Sequence, residues 1–323
     1  MCGICGFTGY RQDQKTVIER MMKAIEHRGP DSEGSFCREK ITLGFRRLSI
    51  IDLEDGQQPM ESADGNLHIV FNGEIYDYKE LRAELETFGI SFCTHSDTEV
   101  LVNTVQQYGE KALDKLRGMF GFAVWNEKEQ SLMLARDFFG IKPVYYAEID
   151  GHFVFASEIK SILAFPGYER KVNQKALEQY LSFQYSPLEE TFFRGIYKLM
   201  PGHMLLYKNG NYEIKTYFKT KLTPGKWNRK TNMDQLRSQL AEILKDSVKH
   251  HMLSDVEVGA FLSGGVDSGY LASASGADQA FTVGFDEGDR YSEVNKAAKV
   301  AEKAGLKHHV KIISKQEFWD ALP

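Results

Sequence analysis

The feature that most restricts the fold is a change of patterning that begins near residue 219. Before it, helix signals are grouped with antiparallel hairpins. Val17, Ile18, Met21, Met22 and Ile25 recur at helical spacing, and Gly29 falls where a helix-ending glycine belongs. Leu81 and Leu85 mark a second helix closing at Gly89. Ser96 and Glu99 have the spacing of a capping box ahead of Val100, Leu101, Thr104, Val105 and Tyr108. Strands are expected over 120–125, 132–136, 144–147 and 153–156, with an Asp150-Gly151 turn in the last hairpin. A further hairpin, 204–207 with 212–217, flanks Asn209-Gly210. These elements imply a layered α+β domain.

From Lys219 to Asn232 the chain is polar, carries Pro224 and Gly225, and lacks apolar periodicity, as a linker would. Leu236, Leu240, Ile243, Leu244 and Val248 then define an amphipathic helix. Beyond it, strand and helix alternate: strand 256–262, a glycine turn, a helix from Ser268, strand 280–285, helix 292–304 and strand 308–313. That alternation requires a parallel sheet with crossover helices. The fold class is therefore α+β followed by α/β, and 323 residues suit two domains.

Composition narrows the function. A net charge of -5 argues against a nucleic-acid partner, although the stretch from Lys219 to Lys230 is locally basic. No apolar run approaches the ~20 residues of a membrane span, and the N-terminus lacks the form of a signal peptide, so a cytoplasmic protein without membrane contact is expected. Of four cysteines, Cys2 and Cys5 form a CxxC, whereas Cys37 and Cys93 are isolated and cannot complete a zinc site. Redox CxxC pairs normally follow a strand within a βαβ unit. Adjacent residues on a strand face opposite ways, so His308 and His309 cannot readily share one ion.

Two segments carry chemistry on their own terms. Removal of Met1 would give Cys2 both a thiol and a free α-amine, placing nucleophile and base on one residue, while a small apolar cysteine in a first strand is the plainer reading. Ser263-Gly264-Gly265-Val266-Asp267-Ser268 joins a strand to a helix. Its glycines and serines can turn N-H and O-H donors toward an oxyanion such as pyrophosphate, and Asp267 could hold Mg²⁺ beside it.

Taken together, Cys2, His27-Arg28-Gly29-Pro30-Asp31, Arg47-Leu48-Ser49-Ile50-Ile51-Asp52, Asn72-Gly73-Glu74-Ile75-Tyr76 and Asp97 resemble the N-terminal-nucleophile glutaminase domain of the class II glutamine amidotransferases. With SGGVDS behind them, and with Arg136-Asp137-Phe138-Phe139-Gly140-Ile141-Lys142-Pro143 and Ser157-Glu158-Ile159-Lys160, the chain resembles the glutamine-hydrolysing asparagine synthetases over essentially its whole length. The resemblance implies a four-layer αββα glutaminase domain at 2–210, a terminal hairpin strand and linker at 211–232, and an incomplete Rossmann-like, parallel-sheet adenine-nucleotide domain at 233–323.

The resemblance also implies roles. Cys2 attacks the glutamine amide to form a thioester and release ammonia. The Asn72 side chain and Gly73 N-H serve as oxyanion donors, although Asn-Gly is also a favoured hairpin turn. Arg47 takes the glutamine α-carboxylate and Asp97 its ammonium, with Glu74 and the backbone of Arg47, Leu48, Ser49, Ile50 and Ile51 completing the pocket. Arg46 faces the other way and is solvated. Downstream, ATP activates aspartate as an adenylate that ammonia attacks. Phe261, Leu262, Ser263, Gly264, Gly265, Val266, Asp267, Ser268, Val283 and Gly284 contact the nucleotide, and Asp267 the metal. Homodimerisation stays open.

The family's later SGEGxDE loop and activation-site lysine have no counterpart before Pro323, and Ser314 with Glu317 opens a helix whose pattern does not complete. The chain thus reads as a C-terminally truncated fragment acting as a glutaminase. An amidotransferase for another carboxylate acceptor, or a non-catalytic nucleotide-binding remnant, stays open.

Overall fold

The computed structural model describes residues 1–222, 232–286 and 292–322. The chain divides into two units, Met1–Leu222 and Thr223–Pro323.

The first unit contains, in chain order, β1 (Gly3–Thr8), α1 (Gln14–Lys23), β2 (Ser32–Cys37), β3 (Ile41–Arg47), β4 (Met60–Glu61), β5 (Leu67–Ile75), α2 (Tyr78–Thr87) and α3 (Asp97–Tyr108). There follow β6 (Gly118–Asn126), β7 (Ser131–Arg136), β8 (Tyr145–Ile149), β9 (His152–Ala156), α4 (Ile159–Leu163), α5 (Gln174–Phe183), β10 (Ile196–Lys198), β11 (His203–Lys208) and β12 (Asn211–Thr216). Two six-stranded sheets result, ordered β10-β8-β9-β1-β3-β2 and β12-β11-β7-β6-β5-β4.

The sheets face one another across a core that includes Ile4, Leu43, Phe45, Val70, Trp125, Leu134, Phe155 and Leu205. Each such side chain contributes roughly 1.5–3 kcal/mol on burial. On the outer face of the first sheet, Cys5, Phe7 and Val154 pack against Val17, Ile18, Met21 and Met22 of α1 and Ile162 of α4. Helix α3 packs on β4 and β5 of the second sheet, and α2 packs on α3. This is the expected αββα stack. The hairpin turns are as read: Asp150 and Gly151 have φ of 49° and 80°, Asn209 and Gly210 of 53° and 81°.

Three local readings change. Gly29 follows a short 3₁₀ turn (Glu26–Arg28) with φ -144°, and its need for glycine is space: a Cβ would stand 2.4 Å from the Arg46 carbonyl carbon. Ser96 caps α3 through the Thr98 amide, whereas Glu99 takes the amides of Cys93 (2.8 Å) and Thr94 (2.7 Å), so the two do not form a capping box. Asn72-Gly73 lies inside β5, paired with Gly121 and Phe120 of β6, and is not a turn.

In the second unit, α6 (Met233–His251), β13 (Ala260–Phe261), α7 (Val266–Ser275), β14 (Gln279–Phe285), α8 (Val294–Ala304), β15 (Lys307–Ile313) and α9 (Lys315–Asp320) form a three-stranded parallel sheet, ordered β13-β14-β15, with its helices. The first strand is shorter than its apolar run suggested. The linker reading falls largely on 223–231, outside the described residues. His308 bonds Thr282 (2.7 Å) and His309 bonds Gln279 (2.9 Å) while stacking on Phe281, so the adjacent histidines diverge. Among the described residues, no helix is long and apolar enough to cross a membrane.

Candidate active site

Cys2 precedes β1, a strand paired with β3 on one side and β9 on the other. That central position brings its sulfur to a cavity of about 210 Å³ whose walls include Arg47, Leu48, Ile50, Ile51, Asn72, Gly73, Glu74 and Asp97. The proposed pocket residues thus converge from β1, the end of β3 and its following loop, β5 and the start of α3. Ser49 is the exception: its amide bonds Asp31 at 2.8 Å, and it does not line the cavity.

Cys2 Sγ accepts from the Leu48 amide at 3.4 Å and lies 3.5 Å from the Leu48 carbonyl, to which the thiol donates. Burial pushes the thiol pKa up, and the Leu48 amide works against it by favouring the thiolate. Burial also lowers the pKa of the Met1 amine, which lines the same cavity. Cys5, three residues further along, is fully buried among α1 side chains and pushed up to about 12. Both cysteines are free, and Cys5 is an inert core residue.

Asn72 is buried, and its amide is held at both ends. The nitrogen donates to the Cys2 carbonyl (3.0 Å) and the oxygen accepts from Arg28 Nη2 (3.3 Å). Arg28 Nε also donates to the Cys2 carbonyl at 2.9 Å. A Cβ on Gly73 would sit 2.1 Å from the Met119 carbonyl oxygen, so only glycine lets β5 approach β6 here.

Arg47 is buried at the cavity wall, where its guanidinium donates to the carbonyls of Leu53 (3.2 Å), Ile51 (3.5 Å) and Asp52. It therefore shapes the loop after β3 as well as facing the pocket. Arg46 does face the other way, but it is not solvated: it is buried, donates to the Gly29 carbonyl (3.0 Å) and pairs with Glu33 and Glu26 (3.4 Å). A guanidinium over exposed carboxylates can satisfy its donors without reaching water itself.

Asp97 is the first residue of α3, 5% exposed, and accepts the Ile75 amide at 3.0 Å. Burial raises its carboxyl to about 7, against the stabilising amide, and the Glu74 charge adds to the rise. Position at a helix N-terminus favours the anion, but complete desolvation outweighs it.

Motif residues without an assigned role also matter. Asp137 accepts the amides of Phe139 (3.1 Å), Ile141 (2.9 Å) and Lys142 (2.8 Å). This turns the loop after β7 so that Lys142 lines the cavity, buried, with its ammonium pKa lowered by that burial. The run from Arg136 to Pro143 signalled these residues, but no periodicity indicates which side chain turns inward.

In the second unit, Gly264 has φ +74° and Gly265 caps α7, while Ser263 and Ser268 share a hydroxyl bond at 2.9 Å. A cleft beside this turn is lined by Phe261, Leu262, Ser263, Ser268, Thr282 and Val283. Leu262 is buried, whereas Phe261 and Val283 are exposed, as are Phe281, Phe285, Val310 and Ile312 on the neighbouring strand faces. Gly284 packs under Val294 and Ile312, where a Cβ would stand 2.6 Å and 2.7 Å from their side chains. Among the described residues, no three His, Cys, Asp or Glu side chains gather to hold a metal. Asp267 stands in the first turn of α7, and a single carboxylate of this kind holds Mg²⁺ only together with other oxygen ligands such as phosphate.

A cysteine at position 2, leading into a strand inside one of two facing antiparallel sheets and sharing a cavity wall with Asn72 and Gly73, fits the N-terminal-nucleophile amidotransferase class. The glutamine amidotransferase domain family model matches residues 1–218, and the chain belongs to that family. Residues 239–323 match the asparagine synthase family model. The chain is 43% identical to asparagine synthetase [glutamine-hydrolyzing] 1 of Bacillus subtilis (strain 168), over 99% of this chain and 52% of that protein. It is 40% identical to asparagine synthetase [glutamine-hydrolyzing] 2 of the same organism, over 88% of this chain and 40% of that protein. The chain thus spans about half the length of the curated relatives it matches. Among solved structures, glutamine phosphoribosylpyrophosphate amidotransferase from B. subtilis superposes with TM-score 0.52 at 17% identity, covering 100% of this chain and 71% of that one, a likeness of fold.

Proposed function

We propose that this chain is the glutamine-hydrolysing part of an asparagine synthetase, with residues 2–210 as the glutaminase domain, 211–232 as its last strand and linker, and 233–323 as part of the ATP-binding domain. The observation that carries the reading is one cavity gathering Cys2, Arg47, Asn72, Gly73 and Asp97 from separate elements.

Glutamine lies with its α-carboxylate on Arg47 and its ammonium on Asp97, so its side-chain amide reaches Cys2. Once Met1 is removed, the Cys2 α-amine takes the thiol proton, and the sulfur attacks the amide carbon. Negative charge develops on the amide oxygen, where the Asn72 side chain and the Gly73 N-H donate. The amine passes the proton to the leaving nitrogen, ammonia departs, and water hydrolyses the thioester to glutamate. In the whole protein, the aspartate side-chain carboxylate attacks ATP to form an adenylate with release of pyrophosphate, and ammonia then displaces AMP from the adenylate to give asparagine. The Ser263–Ser268 turn, with Asp267 and a Mg²⁺ brought with the phosphates, receives the nucleotide. The exposed cleft at this turn also suits the second reading of nucleotide binding without chemistry.

Purified chain supplied with glutamine, aspartate, ATP and magnesium distinguishes these. Glutamate formation abolished by Cys2→Ala and retained by Cys5→Ala supports the glutaminase. Turnover that survives Cys2→Ala, or a covalent glutamine analogue mapped to Cys37 or Cys93, refutes it. ATP binding without glutamate formation favours the second reading.

A further inference from the structure

The motif Ser157-Glu158-Ile159-Lys160 contributes nothing to the cavity wall, yet it is fastened to the nucleophile strand. Ser157 accepts the Ile4 amide through Oγ (3.0 Å) and donates its own amide to the Ile4 carbonyl (2.8 Å). This pins the next residue, Glu158, beside Arg28. Glu158 Oε1 accepts from Arg28 Nη1 at 2.9 Å and from His27 at 2.9 Å, and Oε2 pairs with Lys160 at 3.1 Å. Arg28 in turn grips the Cys2 carbonyl and the Asn72 amide oxygen.

We propose that Glu158 is a positioning residue for the glutaminase reaction: by anchoring Arg28 it fixes the Cys2 peptide plane and the direction of the Asn72 donor. The proposal rests on the glutaminase reading above. Its physical basis is that a residue exposed by loss of Met1 has no preceding peptide to orient it. The carbonyl is then the remaining backbone handle, and two donors, Arg28 Nε and Asn72 Nδ2, converge on it. Arg28 has a rigid fork, 8% exposed, and three of its nitrogens have different targets. Without a carboxylate behind it, the fork would be a buried cation free to rotate toward water. Burial pushes the Glu158 carboxyl up, but the bonds from Arg28, Lys160 and His27 pull it down to about 2, so the anchor stays charged at any working pH. Misplacing an oxyanion donor by a fraction of an ångström weakens only the transition state, whereas Arg47 and Asp97 still bind glutamine.

The test uses steady-state glutaminase kinetics of the full chain, with thermal midpoints recorded for each variant. Glu158→Gln should lower kcat about 10- to 100-fold and leave KM within about twofold. Glu158→Asp should recover part of the loss. In an Arg28→Ala background, Glu158→Gln should add less than about twofold, because a residue acting through Arg28 has nothing left to position. His27→Ala and Lys160→Ala, whose side chains are about half exposed, should stay within about twofold of the parent. A Glu158→Gln enzyme with unchanged kcat, a KM that rises in step with the loss of kcat, or full additivity with Arg28→Ala would overturn the proposal while Cys2→Ala remained inactive. Glutaminase activity persisting in Cys2→Ala would instead overturn the underlying reading. Should Glu158→Gln fail to fold, the Glu158→Asp kcat and KM decide the matter by the same criteria.

Discussion

The ammonium contact proposed for Asp97 conflicts with stability, and Asp97→Asn separates the two. Its carboxyl is held at about 7 by burial, against an ordinary value of 3.8. Between those values the unfolded chain has released a proton that the folded, ligand-free protein still holds. The folded state therefore binds more protons, and stability falls as pH rises from about 4 to about 7. At about 1.4 kcal/mol per pH unit the full penalty is about 4 kcal/mol above pH 7. Asparagine keeps an oxygen for the Ile75 amide but brings an NH₂ needing a partner, so a net gain of about 1–3 kcal/mol is expected. Thermal unfolding of both proteins from pH 4 to pH 8 checks this: the variant should melt several degrees higher at pH 8, the advantage shrinking toward pH 4. Glutamine binding should move oppositely, weakening about 10- to 150-fold through loss of a hydrogen bond between charged groups worth about 1.5–3 kcal/mol. In the parent, KM should rise as pH falls below about 7, because Asp97 must ionise to meet the ammonium. An Asp97→Asn variant less stable than the parent at pH 8, with a difference independent of pH, would refute the reasoning.

Other outcomes follow from the packing. Arg46→Ala should cost about 1–3 kcal/mol in denaturant unfolding, through lost stem packing and the Gly29 bond, while changing the glutamine KM less than twofold. Arg47→Lys should raise KM at least tenfold and loosen the loop over 48–56, seen as faster amide exchange there, because a lysine cannot span three carbonyls and a carboxylate. Gly73→Ala should destabilise by about 1–3 kcal/mol and depress kcat at least tenfold, since the Met119 carbonyl must retreat and carry β6 away from β5; a crystal structure showing an undisturbed β5-β6 pair would contradict this.

Much of the fold was legible because its signals are local. Hairpins at Asp150-Gly151 and Asn209-Gly210 follow from residues that tolerate positive φ, and Ser314 with Glu317 forms the capping box its spacing announces. The failures share a cause: the deciding neighbour is distant in sequence. Asn72-Gly73 has the composition of a turn, but pairing with β6 keeps it extended. Arg46 alternates away from the pocket as an extended chain requires, yet nothing beside it in sequence tells that Glu26 and Glu33 will cover it. The pocket residues were found through motif resemblance. Lys142 and Glu158 lay within quoted motifs, but their roles depend on how Asp137 bends one loop and Ser157 pins another.

Because β1 runs through the interior of its sheet, the residues leading into it are held against the fold. On the proposed mechanism, affinity tags, fluorophores or surface tethers joined ahead of Met1 would keep Cys2 in a peptide and withhold the α-amine. The Asn209-Gly210 turn is the better attachment point: it is exposed and joins β11 to β12 at the edge of its sheet. A practical handle belongs there, and a preparation purified through an uncleaved leading tag would be expected to report an inactive enzyme whose fold is intact.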